Sequence, residues 1–160
     1  MVKSHNLYQT IPTLFQQWSI SLDILPTGIV EHWGNILRVG LGGHWEDYGD
    51  RTPLINFTPN DTKLHIQSAI NGQAGYGFTA PALPLHEWTH VEISQLVLPD
   101  SAYHLVLFTI RINNSIFVQM NNTDPIEFSD ITVWASDQFH TAARARIDNL
   151  TIYTFSDNGE

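Results

Sequence analysis

Apolar and polar residues alternate along most of this chain. Trp18, Ile20, Leu22 and Ile24 are interleaved with Ser19, Ser21 and Asp23, and Leu64 and Ile66 with Lys63, His65 and Gln67. A period of two places alternate side chains on opposite faces, so these segments read as strands with one face on a core and the other in water. Similar patterns predict strands at Ile36–Gly40, Pro53–Phe57, Gly75–Thr79, Ile131–Trp134 and Ala145–Phe155. The run Ala102–Ile112 is apolar on both parities, as expected of a central strand covered on both sides. Asn113-Asn114 then supplies a hairpin turn, because Asn tolerates the left-handed backbone, and Ser115–Met120 is the return strand. In the last strand Ile147 has the opposite parity to Leu150 and Ile152, so a bulge near Asp148-Asn149 is expected to bring all three onto the core. No long helical period is present. Roughly ten short strands separated by turns predict an all-β fold, a two-sheet antiparallel jelly-roll sandwich, in a single domain spanning residues 1–160. Pairing of the first and last strands would bring the termini together.

The segment His86-Glu87-Trp88-Thr89-His90 spells the H-E-x-x-H signature of zinc proteases. That motif needs a helix, on which residues four apart share a face. Here Glu87, Thr89, Val91 and Ile93 alternate with Trp88, His90, Glu92 and Ser94, which is a strand pattern. On a strand the two histidines stand about 13 Å apart, at roughly 3.3 Å per residue, and one zinc cannot reach both. The motif reads as a coincidence.

Composition narrows the function. Of 160 residues, 42% are hydrophobic and 14% charged, which suits a folded domain with a Ser/Thr/Asn/Gln surface. The net charge of −9 disfavours nucleic acid and anionic membrane surfaces as partners. No apolar run is long enough for a transmembrane helix, so membrane insertion is not expected, and the N-terminus shows no signal peptide. Cysteine is absent, which favours a reducing compartment, whereas N-x-S/T acceptors at Asn56, Asn60, Asn113, Asn121 and Asn149 favour an extracellular one. The extracellular reading is preferred.

The order of segments Trp18–Ile24, Asn35–Gly40, the Tyr48-Gly49-Asp50-Arg51 loop, Leu64-His65-Ile66 and Glu87–Gln95 resembles that of laminin-G-like domains of the concanavalin A-like fold. Tyr103–Ile112, the Asn113-Asn114 turn, Ser129–Phe139 and Ala145–Tyr153 resemble the closing strands of such domains, secreted invertebrate forms in particular. The resemblance implies a sandwich that recognises glycans, glycoproteins or other extracellular proteins, in some members with a calcium ion at the loop edge. It also implies that Trp88–Val91 is a tryptophan-led core strand.

Three loops carry candidate chemistry. Gly40–Pro53 is Gly-rich yet holds His44, Trp45, Glu46, Asp47, Tyr48, Asp50 and Arg51. An aromatic face covers the apolar side of a sugar ring, while carboxylates and an Arg fork bind hydroxyls directionally. The competing structural role has Trp45 and Tyr48 folded onto the core and Asp50 paired with Arg51. Trp134–Arg146 offers Asp137, Gln138 and His140, with the alternative that Asp137 caps a turn and Phe139 plugs the sandwich end. Asn121–Asp130 offers Asp124 and Asp130 as oxygen ligands for calcium, the one cofactor considered. His5, His32, His65, His86 and His104 share no spacing and read as surface or packing residues. Paired carboxylates of a glycosidase are missing, since Glu87 and Glu92 have opposite parity. The chain therefore reads as a lectin-like binding domain without catalytic residues; the sequence leaves its oligomeric state open, and a homo-oligomer would gain avidity. A protein-binding matrix module is the first alternative and a glycoside hydrolase the second.

Overall fold

The computed structural model describes residues 1–98 and 105–156. Twelve strands and no helix occur among the described residues: β1 (Leu7–Leu14), β2 (Gln17–Pro26), β3 (Gly34–Gly40), β4 (Leu54–Phe57), β5 (Lys63–Ile70), β6 (Gln73–Ala82), β7 (Thr89–Val97), β8 (Val106–Ile112), β9 (Ser115–Asn122), β10 (Phe128–Trp134), β11 (Thr141–Ala142) and β12 (Ala145–Phe155). One sheet runs β1-β10-β3-β4-β5-β6, with the short β11 parallel to β3, and the other runs β12-β2-β7-β8-β9. All other pairings are antiparallel.

The alternating residues meet between the sheets. Trp18, Ile20, Leu22 and Ile24 of β2 with Val91, Ile93, Phe108 and Ile110 form one wall, and Ile36, Val39, Ile55, Phe57, Leu64, Ile66, Ile131 and Val133 form the other, all buried. Burying a side chain of this size stabilises the fold by about 1.5–3 kcal/mol. Trp18 meets Phe108 edge to face, and Phe108 stacks on Phe78.

The local signals act as their chemistry requires. Asn113 and Asn114 have φ of 48° and 65°, the left-handed pair of a tight hairpin turn. In β12 the register against β2 shifts between Asp148 and Thr151, with Asn149 at φ 51°, and Ile147, Leu150 and Ile152 all pack on the core.

Other expectations are corrected. The HEWTH segment is neither helix nor continuous strand: His86 has φ 64° in a turn, and β7 begins at Thr89 rather than Glu87. Trp88 stands about half exposed rather than leading the core. The first and last strands, whose pairing the sequence left open, do not pair: β1 joins β10 in one sheet and β12 joins β2 in the other. The N-terminus still reaches the last strand, through Val2 N–H donating to the Ala145 carbonyl at 2.9 Å. β8 is covered on its core face, but Leu107 on the other face is only partly buried. Its expected early part, including Ala102, Tyr103 and His104, lies outside the described residues.

Candidate functional site

The core-facing residues of β4 and β5 are Ile55, Phe57, Leu64 and Ile66, so Asn56, His65 and Gln67 point to the outer face of that sheet. The neighbouring strand β6 follows the same rule. Tyr76 and Phe78 pack on the core, leaving Gly75, Gly77 and Thr79 on the outer face, where Gln67 pairs with Gly77 and His65 with Thr79. Two missing side chains create room there. A Cβ at Gly75 would overlap the Arg51 guanidinium, and one at Gly77 would lie 3.0 Å from the His65 ring.

Onto this floor folds the loop between β3 and β4. Its base is a buried ion pair: Arg38 Nη2 donates to Asp50 Oδ1 at 2.7 Å and to the Gly43 carbonyl, while Nε donates to the Asp50 carbonyl. The same Asp50 oxygen accepts the backbone N–H of Gly42 and Gly43, which draws the loop back on itself. Gly40 is essential to that return, since a Cβ there would stand 2.6 Å from the Asp50 Cα. Asp137, fully buried, lies 3.9 Å from Arg38 Nη1 and 3.0 Å from His140 Nδ1, and accepts the N–H of Phe139 and His140. Burial pushes the Asp137 carboxyl up, but the bond and charge of His140 and these two N–H groups outweigh it and hold it below 3.8.

The result is a groove of about 280 Å³ lined by Trp33, Trp45, Glu46, Arg51, Asn56, His65, Gln67 and His140. Trp45 is clamped, its ring 4.6 Å from the Arg51 guanidinium carbon and 5.3 Å from the His140 ring. Arg51 Nε donates to the Trp45 carbonyl at 2.6 Å. Trp33 closes the other wall against His65 at 5.1 Å, and His65 Nδ1 lies 2.8 Å from the Thr79 hydroxyl. Burial, then the nearby Arg51 charge, push the His65 pKa below 6.5. Asn35 donates to Asn56 Oδ1 at 2.7 Å and accepts the Asp137 N–H, tying floor and wall together.

Of the residues singled out from sequence, Trp45, Glu46, Arg51 and His140 come together in this groove. The others do not line it. Asp50 and Asp137 are buried supports, and Asp50 pairs with Arg38 rather than Arg51. Tyr48 folds back onto Phe128, and burial raises its phenol pKa. His44 is exposed against Phe139, and Asp47 is exposed in the loop. Phe139 stands 40% exposed over Arg38 instead of plugging the sandwich. Sequence reading missed Trp33, Asn56, His65 and Gln67. The signal for three of them was available in the outward parity of β4 and β5 opposite the glycines of β6. Asn56, a glycosylation acceptor by sequence, is 3% exposed and out of reach of such modification in the folded chain. Among the described residues no three His, Asp or Glu side chains converge to hold a metal, and Asp124 and Asp130 do not form such a group.

No protein-family model matches the chain, and no curated protein is similar to it in sequence. Similar folds occur among solved structures. The heptameric SAP-like pentraxin of Limulus polyphemus superposes with a TM-score of 0.59 at 16% identity, over 91% of this chain and 67% of that one. Sheep galectin-11, in a complex with glycerol, gives 0.51 at 13% identity, over 94% of this chain and 100% of that one. Trypanosoma rangeli sialidase, in complex with 2,3-difluorosialic acid, gives 0.57 at 13% identity over 86% of this chain, which spans only 20% of that enzyme. Taken with the two antiparallel sheets and their order, these likenesses place the chain in the concanavalin A-like jelly-roll sandwich fold.

Proposed function

We propose that the chain is an extracellular carbohydrate-recognition domain that holds one sugar residue, non-covalently, in the groove over β4, β5 and β6. The carrying observation is the Trp45 ring, held by the Arg51 guanidinium at 4.6 Å and by the edge-on His140 ring at 5.3 Å, beside a floor of Asn56, His65 and Gln67. A flat aromatic face beside convergent polar groups suits a pyranose, which is apolar on its C–H face and polar at its edge. The volume of about 280 Å³ falls just below the roughly 300–1,000 Å³ of ligand pockets that enclose drug-sized molecules, which fits a single sugar residue rather than a longer chain. A fold shared with galectin-11, and with part of a sialidase held with a sialic acid derivative, supports a sugar as the ligand class.

Turnover is not proposed. Most glycoside hydrolases use two carboxyl groups astride the bond, and sialidases a tyrosine nucleophile; among the described residues that line the groove Glu46 is the single carboxylate and no tyrosine is present. The polar groups already present supply the contacts, so binding is proposed to be independent of calcium. A glycan array probed with the purified protein, in calcium and in chelator, tests this: selective signals unchanged by chelator are expected. A blank array in both conditions would turn attention to the second reading, a protein-binding module. That reading is favoured by an apolar groove of about 330 Å³ between Pro81–Pro84 and the β8–β9 hairpin, where Ile116 and Phe117 are exposed.

A further inference from the structure

The described arginines with buried or half-buried side chains divide sharply by partner. Arg38 is matched by Asp50 and Asp137, and Arg111 by Glu92 at 3.1 Å. Arg51, half-buried, forms no ion pair among the described residues; the one hydrogen bond of its side chain among them runs from Nε to the Trp45 carbonyl. Neither Nη group has an acceptor among the described residues, and the glycine at position 75 is what allows the guanidinium to lie against the floor of the groove. Asn56 adds to the imbalance. Its Oδ1 is taken by Asn35, while Nδ2, on a residue only 3% exposed that lines the groove, has no partner among the described residues. Half-buried donors without protein acceptors are left to water, and a ligand that brings its own acceptors can take water's place. A guanidinium fork with a neighbouring amide N–H matches a planar or tetrahedral oxyanion better than a neutral hydroxyl. Glu46, the one carboxylate of the lining, sits at the rim with its side chain 61% exposed and leaves the fork open.

We propose that the groove selects an acidic saccharide, whose carboxylate or sulfate seats on the Arg51 guanidinium beside Asn56 while the ring lies against Trp45; this rests on the glycan reading above. The net charge of −9 repels such a ligand at long range, so the selectivity is local and resides in the fork.

Isothermal titration with three disaccharides that share one neutral core tests the idea: one ending in a hexuronate, its carboxyl-reduced counterpart, and a sulfate ester of the reduced form. At least one acidic ligand is expected to bind about tenfold or more tightly than the reduced form, in keeping with a charge-assisted pair. The uronate and sulfate arms identify which anion is taken. Arg51→Gln is expected to erase the difference, and Glu46→Gln to strengthen acid binding severalfold, which keeps the test intact should Arg51→Gln fail to fold. Equal affinity for all three would overturn the acidic selection and leave a neutral-sugar site. Absence of binding to all three, combined with a blank glycan array, would overturn both.

Discussion

At the level of single residues, the groove depends on side chains that never touch a ligand. Arg38 is 1% exposed and serves two buried carboxylates. Removing one partner of a buried pair leaves uncompensated charge, so Arg38→Met should cost about 3–5 kcal/mol in urea unfolding. A loss under about 1 kcal/mol, typical of a surface pair, would contradict this role. Acid should act in two windows. His65 has a folded pKa below 6.5, so the unfolded chain takes up its proton first, and stability falls as pH drops below that value. Asp137 is held below 3.8, and Asp23 is also lowered, by the Asn149 hydrogen bond and then by His90. Their stabilisation is full above 3.8 and is lost as pH falls through the folded values. Unfolding midpoints measured against pH should show both declines, with His65→Gln flattening the upper one and Asp137→Asn the lower. Sequence made the aromatic and acidic loop conspicuous but could not separate support from lining. Asp50 and Arg51 are adjacent in the chain, yet one turns inward to Arg38 and the other outward under Trp45.

Strands supply what residues alone do not. β6 carries aromatic residues on one parity and glycines on the other, and this asymmetry makes the floor flat enough for Arg51 and His65. Gly75→Val should therefore displace the guanidinium and weaken sugar binding by about tenfold or more while the strand remains, since valine suits a strand. Circular dichroism and ligand titration on the same sample check both halves. The β8–β9 turn makes a separate prediction. Asn114, at φ 65°, should accept Gly with little change, whereas Asn114→Val should cost about 1–2 kcal/mol, read by chemical denaturation. Strand positions, the Asn-Asn turn and the β12 bulge were legible because each follows from local parity or backbone preference. The start of β7 was not: Glu87 and Trp88 continue the alternation on paper, but the His86 turn precedes a strand that begins only at Thr89. Periodicity alone does not mark where hydrogen bonding begins.

For the molecule as a whole, the twelve described strands enclose one core, and the two loops that follow β3 and β10 converge over the outer face of one sheet. That convergence was the least legible feature. Trp33, Trp45, Asn56, His65 and His140 are spread over more than a hundred positions of sequence, and only the order β10-β3-β4-β5 brings them together. A single shallow site binds sugars weakly, so useful avidity would come from several copies, and array signals should depend steeply on glycan density. The five tryptophans offer an internal map of the binding site. Trp33 and Trp45 line the groove, Trp18 lies in the core, Trp88 precedes β7, and Trp134 ends β10 with its indole N–H bonded to Thr132. The most direct test follows the five indole N–H signals by NMR during titration with a panel of neutral and acidic saccharides. The Trp45 signal, with that of Trp33, should shift in a saturable way for at least one sugar while those of Trp18, Trp88 and Trp134 stay in place. Saturable shifts confined to Trp88 or Trp134, or no shift with any sugar in the panel, would contradict a carbohydrate site in this groove.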